Sequence, residues 1–106
     1  MKKSIQEAYL PMSETAYFIL LSLTTEKHGY GIIQYVEKIT NGRLHIGAGT
    51  IYGTLSKFEK DNLIKLVGEK ERRKIYKITE TGNLLLQSEI RRIEELFKCA
   101  KDYLER

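Results

Sequence analysis

Apolar residues recur at helical spacing through most of the chain. Ile32, Tyr35, Val36 and Ile39 fall at i, i+3, i+4 and i+7, and Ile51, Leu55 and Phe58 repeat the same spacing further on. These intervals predict two amphipathic helices. The first should close at Asn41-Gly42, a pair suited to the left-handed turn that ends a helix. The second opens in the stretch Gly47-Ala48-Gly49-Thr50. Upstream, Ala16–Leu23 is apolar nearly all round, preceded by Ser13 as an N-cap and by Glu14 in the first turn. That pattern predicts a central, buried helix. Residues 1–10 place Ile5, Ala8 and Tyr9 on one helical face before Pro11 interrupts, which describes a short docking arm. Arg43-Leu44-His45-Ile46 alternates and fits a very short strand.

Beyond residue 62 the period changes. Leu63–Val67 and Lys74–Thr79 are runs rich in Ile, Val, Leu and Tyr, separated by the charged stretch 68–73, and they read as a β-hairpin with a basic tip. Thr79 is then a candidate N-cap for a last helix, with Glu80 complementing its dipole. Leu86, Ile90, Ile93, Phe97, Ala100 and Leu104 follow with alternating gaps of four and three, a heptad seam widened by Leu85, Leu96, Cys99 and Tyr103. A helix of roughly 35 Å outruns so small a domain, and its apolar stripe needs a partner surface. A second copy of the chain is the simplest partner, with Leu86, Ile90, Ile93, Phe97, Ala100 and Leu104 as its interface. The expected fold class is therefore mainly α with a small β-hairpin. Residues 1–80 would form a winged helix-turn-helix domain with an N-terminal helical arm, and residues 81–106 a dimerisation helix.

Composition narrows the chemistry. The chain has 106 residues, 42% of them apolar and 30% charged, which suits one folded domain and excludes a low-complexity chain. A domain of this size buries only about 60–70% of its unfolded surface, so a sizeable cavity would need a second chain. Cys99 is the single cysteine and cannot pair internally, and His28 and His45 do not supply metal-ligand spacing with it. Cys99 reads as a small buried hydrophobe of the stripe. No stretch is apolar for the length of a membrane span, and a reducing, cytoplasmic setting is expected. No cofactor or metal is implied. Without a nucleophile-base pair or a phosphate-cradling loop motif, an enzyme is the weakest reading.

Charge is unevenly distributed. The net charge is +4, yet residues 1–40 are balanced and residues 79–106 sum to −1. Residues 41–78 hold nine bases against four acids. Such a segment suits contact with a polyanion. The polar side of the helix beginning near Thr50 presents Thr50, Gly53, Thr54 and Lys57, flanked by Tyr52 and Ser56, with no acid before Glu59. A helix start with unpaired N–H groups and small side chains admits phosphates closely. Base-edge readout is assigned to Thr50, Thr54 and Lys57, and backbone contacts to Tyr52, Ser56, Lys70, Arg73 and Lys74. The expected partner is double-stranded DNA with a palindromic operator. The competing reading is a protein-interaction module whose basic surface is incidental; a salt-insensitive partner would favour it.

Three blocks carry a further signal: Glu26-Lys27-His28-Gly29-Tyr30-Gly31, Gly47-Ala48-Gly49-Thr50-Ile51-Tyr52-Gly53-Thr54-Leu55, and Arg72-Arg73-Lys74-Ile75-Tyr76-Lys77-Ile78-Thr79-Glu80-Thr81-Gly82. In this order they resemble the signature blocks of PadR-type transcriptional regulators, over residues 10–85. The resemblance implies a winged-helix repressor dimer, of the short kind whose C-terminal and N-terminal helices together form the dimer. Within it, His28 reads as a structural residue at a helix start. Ala48 stands where the family usually has Pro, leaving the turn before the helix less rigid. Multidrug-sensing short members carry an interface Trp that stacks on flat ligands, and this chain has no Trp. Ile93 falls near that position with Ile90 and Phe97 one turn either side, so the resemblance implies at most a small apolar effector, with Tyr9, Ile93 and Phe97 lining its cavity.

Overall fold

Local signals at the helix ends are answered in the computed structural model, which describes residues 3–105; Met1, Lys2 and Arg106, at the ends of the two expected units, lie outside it. The elements run α1 (Lys3–Tyr9), α2 (Glu14–Ser22), α3 (Gly29–Ile39), α4 (Ala48–Lys60), β1 (Ile64–Lys70), β2 (Arg73–Ile78) and α5 (Glu80–Leu104). Ser13 caps α2 by accepting from the Ala16 N–H, and Thr79 caps α5 by accepting from the Gly82 N–H. Asn41 at φ 52° and Asn62 at φ 60° end α3 and α4 in the left-handed conformation. In each case the amide of the next residue closes back on the helix, Gly42 to the Glu37 carbonyl and Leu63 to the Phe58 carbonyl.

One core joins these elements. Ile19, Leu20 and Leu23 from α2 and its C-cap meet Ile32 and Val36 of α3, Ile51, Leu55 and Phe58 of α4, and Leu63 and Ile64 at the entry to the hairpin. Leu85 and Leu86 of α5 complete it. The core therefore runs past residue 80, and the heptad seam begins inside it. Leu86, expected at a dimer interface, is instead packed within its own subunit, because the first turns of α5 must cover α2 and β2. Gly82 permits that docking: a Cβ there would lie 2.1 Å from the Leu63 carbonyl oxygen.

The hairpin is tighter than its charged connection suggests. β1 and β2 pair antiparallel from Ile64↔Ile78 to Lys70↔Arg73, with a bulge at Val67, leaving only Glu71 and Arg72 in the turn. Both turn residues have positive φ, 53° and 64°, the backbone that suits a two-residue hairpin but that non-glycine residues adopt at a cost. Lys27 adds a single antiparallel bridge to Tyr76, which the sequence reading missed. The expected strand at 43–46 does not form: no partner lies alongside, and the Leu44 N–H donates to Thr40 Oγ1 instead.

The arm docks as expected, and its partner is α4. Tyr9 is buried edge-on to Phe58 at 5.7 Å between ring centroids, and its hydroxyl donates to Asp61 at the C-cap of α4. Tyr9, expected beside Ile93 and Phe97 in an effector cavity, is thus committed to a different neighbour. Burial, reinforced by Asp61, holds its phenol well above the ordinary range.

Candidate nucleic-acid interface

The N-terminus of α4 is bare. Gly47 occupies the N-cap without a side-chain hydrogen bond, no acid stands in the first turn, and a Cβ added at Gly47, Gly49 or Gly53 would meet nothing within 4 Å. The first-turn N–H groups face open space with the positive end of the helix dipole behind them. Ile51, Leu55 and Phe58 turn inward, which exposes Thr50, Tyr52, Gly53, Ser56 and Lys57.

These residues divide between two flanks. On one side, Thr54 is half-buried and shares with Lys57 a cleft of about 300 Å3 against Ala8, Tyr9, Pro11, Met12 and Phe58. The Lys57 ammonium lies 5.0 Å from the centroid of the Tyr9 ring, so the arm braces the side chain without removing it from solvent. Thr54, assigned to base readout, is turned toward the arm, because it shares a helix face with the inward-facing Ile51 and Phe58, three residues before it and four after.

On the other side, Tyr52 and Ser56 line a groove of about 360 Å3 closed by Arg72, Arg73 and Lys74 of the wing and by His28 and Gly29 at the start of α3. The Tyr52 ring fits there because residue 29 is glycine: a Cβ at that position would come within 2.9 Å of the ring. Lys70, at the end of β1, is exposed outside this groove. The structure therefore brings Tyr52, Ser56, Arg73 and Lys74 together, sets Lys57 on the far flank and Lys70 at the wing tip. Arg72 and His28 belong to the groove and were not among the expected contacts. Lys60 was also missed; it falls seven residues after Gly53, on the same outward face, a spacing readable from the sequence.

Three basic side chains outside this surface have partners within the chain. Lys27 donates to the Ser22 carbonyl and to Thr25 Oγ1 and lies 4.6 Å from the Tyr35 ring centroid. Its burial holds the ammonium below the ordinary range. Arg43 pairs with Glu14, and His45 with Glu37.

Residues 19–88, from α2 into the start of α5, match the model of the transcriptional regulator PadR-like family. The chain belongs to that family. An uncharacterized protein X of Lysinibacillus sphaericus is 32% identical, over 74% of this chain and 84% of its own length. An uncharacterized 37.1 kDa transposon protein of Streptomyces fradiae is 36% identical over 62 residues, 58% of this chain and 17% of its own length. Among solved structures, a transcriptional regulator from Clostridium thermocellum superposes with a TM-score of 0.72 at 24% identity, covering 97% of each chain. A PadR-like transcriptional regulator from Bacillus cereus gives the same TM-score at 19% identity, over 98% of this chain and 99% of that one. These two share the fold. Bacillus subtilis PadR, solved in complex with operator DNA, superposes with a TM-score of 0.62 at 28% identity, over 74% of this chain and 47% of that one. The winged-helix fold and the regulator family expected from the three sequence blocks are thus both shown. The family is one of transcriptional regulators, not of enzymes.

Proposed function

We propose that this PadR-family protein is a homodimeric repressor that binds a palindromic operator in double-stranded DNA and is released from it by a small apolar effector. The observation that carries the DNA-binding reading is the bare, carboxylate-free leading end of α4, flanked on one side by the basic wing. A helix of that kind enters the major groove, and a wing beside it reaches the adjacent backbone. Thr50 and Lys57 are assigned to base edges, joined by Lys60, and Gly53 lets the helix approach the groove floor closely. Tyr52, Ser56, Lys70, Arg73 and Lys74 are assigned to phosphates. That Bacillus subtilis PadR is solved with operator DNA supports the DNA-binding reading.

Dimerisation is supported by the far half of α5. Beyond Glu89 none of its side chains is buried, and Ile90, Ile93, Phe97 and Leu104 are 42%, 40%, 55% and 67% exposed. The effector reading rests on a cleft of about 300 Å3 beside Ile93, lined by Met12, Tyr17, Phe18, Glu89 and Arg92. A second α5 laid over Ile93 would roof it. Occupancy there would change the separation of the two α4 helices, which must span about 34–36 Å to enter successive major grooves.

The test is a fluorescence-polarisation titration with the duplex upstream of the protein's own gene, repeated across salt. A sequence-selective complex is expected whose log K falls linearly with log salt. Lys57→Ala should weaken binding and relax sequence preference, and Arg73→Ala should weaken binding and reduce the slope by about 1.8, one phosphate in each half-site. Full binding by the double variant, or no selective complex at low salt, would overturn the assignment.

A further inference from the structure

We propose that His28 and Arg73 clamp one backbone phosphate of the bound duplex between them, an inference that rests on the DNA-binding reading and adds to it a contact from α3. The argument turns on which ring nitrogen carries the proton. The Gly31 N–H, third in α3 and without a helical carbonyl to receive it, donates to His28 Nδ1 at 3.1 Å. A nitrogen that accepts is not protonated, so the ring proton sits on Nε2. His28 Nε2 lies 3.4 Å from an Arg73 guanidinium nitrogen. Guanidinium has donors and no acceptor, and Nε2–H is also a donor. The two cannot satisfy each other. They are arranged to share a third atom, one with several lone pairs and negative charge.

The surroundings select a phosphate oxygen. Arg72 and Lys74 line the same groove, and its one acid, Glu69, stands directly across the hairpin from Lys74. The Tyr30 ring lies 5.8 Å from the Arg73 guanidinium carbon and limits where that head group can go. Gly29 lets the Tyr52 ring close the groove beside this spot, and the first-turn amides of α3 add the positive end of its dipole. Tyr52 and Ser56 of α4 form the opposite wall. With α4 in the major groove, the phosphate held here would belong to the strand bordering that groove, fixing the helix in register. His28 thus has two functions on its two nitrogens: Nδ1 caps α3, and Nε2 contacts DNA.

The experiment is a scan in which single phosphates of the duplex are replaced, one at a time, by neutral methylphosphonates, read by fluorescence polarisation. Wild type should lose about tenfold in affinity at one particular phosphate in each half-site. His28→Ser retains a capping oxygen for the Gly31 amide and lacks the Nε2 donor. It and Arg73→Ala should each bind the unmodified duplex more weakly and should each lose less affinity than wild type when that same phosphate is replaced, the remaining partner keeping part of the contact. Because neutral histidine releases no counterion, His28→Ser should leave the salt slope unchanged, whereas Arg73→Ala lowers it. Thermal melting verifies that His28→Ser is folded, and His28→Asn provides a second capping substitution. Sensitivity at that phosphate as large as in wild type in both His28 variants, or reduced at different phosphates in the His28 and Arg73 variants, overturns the clamp. Inorganic phosphate at millimolar concentration should compete no better than chloride at equal ionic strength; selective competition would assign the site to a free anion and overturn the DNA contact. Failure of wild type to bind any duplex would remove the DNA-binding reading itself, which is a separate outcome.

Discussion

Gly82 shows how much one missing methyl group can decide. It lies in the first turn of α5, and a Cβ there would sit 2.1 Å from the Leu63 carbonyl oxygen and 2.9 Å from the Ile78 side chain. A flexible side chain can step aside; a backbone carbonyl between α4 and β1 cannot, because Leu63 is fixed on both sides. Its amide donates the closing bond of α4 to the Phe58 carbonyl, and its carbonyl accepts from the Thr79 amide. Gly82→Ala must therefore lift α5 off the hairpin. The expected cost is about 3 kcal/mol, seen in calorimetry as a Tm lower by about 10–20 °C. A Tm within 2 °C of wild type, on the order of a surface substitution, would contradict the packing described. The glycine was legible as part of a helix-start block, but its reason was not: only the backbone of a residue nineteen positions away makes it obligatory. The hairpin tip is the converse case. Glu71-Arg72 gives no turn signal, yet both residues take positive φ because paired strands leave two residues to reverse the chain.

At the scale of elements, the periodicities located α2 through α5 and both strands to within a few residues, because each has an inward face of regular spacing. What they could not show was where one face stops serving the subunit's own core. The seam of α5 is continuous from Leu86 to Leu104, yet Leu86 is buried and Ile90 is half open. The change falls at Glu89, a fully buried carboxylate that accepts from the Met12 N–H and from the Arg92 guanidinium. It ties α5 to the joint between α1 and α2. Arg92 foremost, aided by the Met12 amide and opposed by burial, holds the Glu89 carboxyl below its ordinary value near 4.5. A carboxylate lowered in the folded state contributes stability above that value and loses it as the pH falls through the lowered one. Glu89→Gln should accordingly melt at a lower temperature than wild type at pH 7, with a smaller gap at pH 3, as measured by circular dichroism. An equal gap at both pH values would mean that the ion pair contributes nothing. The bridge from Lys27 to Tyr76 was illegible for a different reason: one pair of hydrogen bonds leaves no pattern along a chain.

For the whole molecule, the described residues extend over 53 × 34 × 20 Å, and the long dimension carries the unburied half of α5. Leu96, Phe97, Tyr103 and Leu104 are each more than half exposed there, alongside an exposed Cys99, which the sequence reading placed in a buried stripe. An apolar surface of this kind on a projecting helix is covered when a second copy lies against it. Under that arrangement Cys99 would become buried as expected, and the two α4 helices would be held at a fixed distance. The separate contributions of fold and assembly can be measured together. Ile93→Glu/Phe97→Glu places two carboxylates on the exposed face of α5, and neither residue belongs to the buried core of the subunit. The variant should retain its helical circular dichroism and sediment as a monomer where wild type sediments as a dimer. Its binding to a full operator should fall to that of a single half-site, at least 100-fold weaker, because the second half-site contact becomes bimolecular again. A variant that still sediments as a dimer would place the interface elsewhere on the chain. One that is monomeric yet binds the full operator undiminished would show that a single α4 and its wing suffice for recognition.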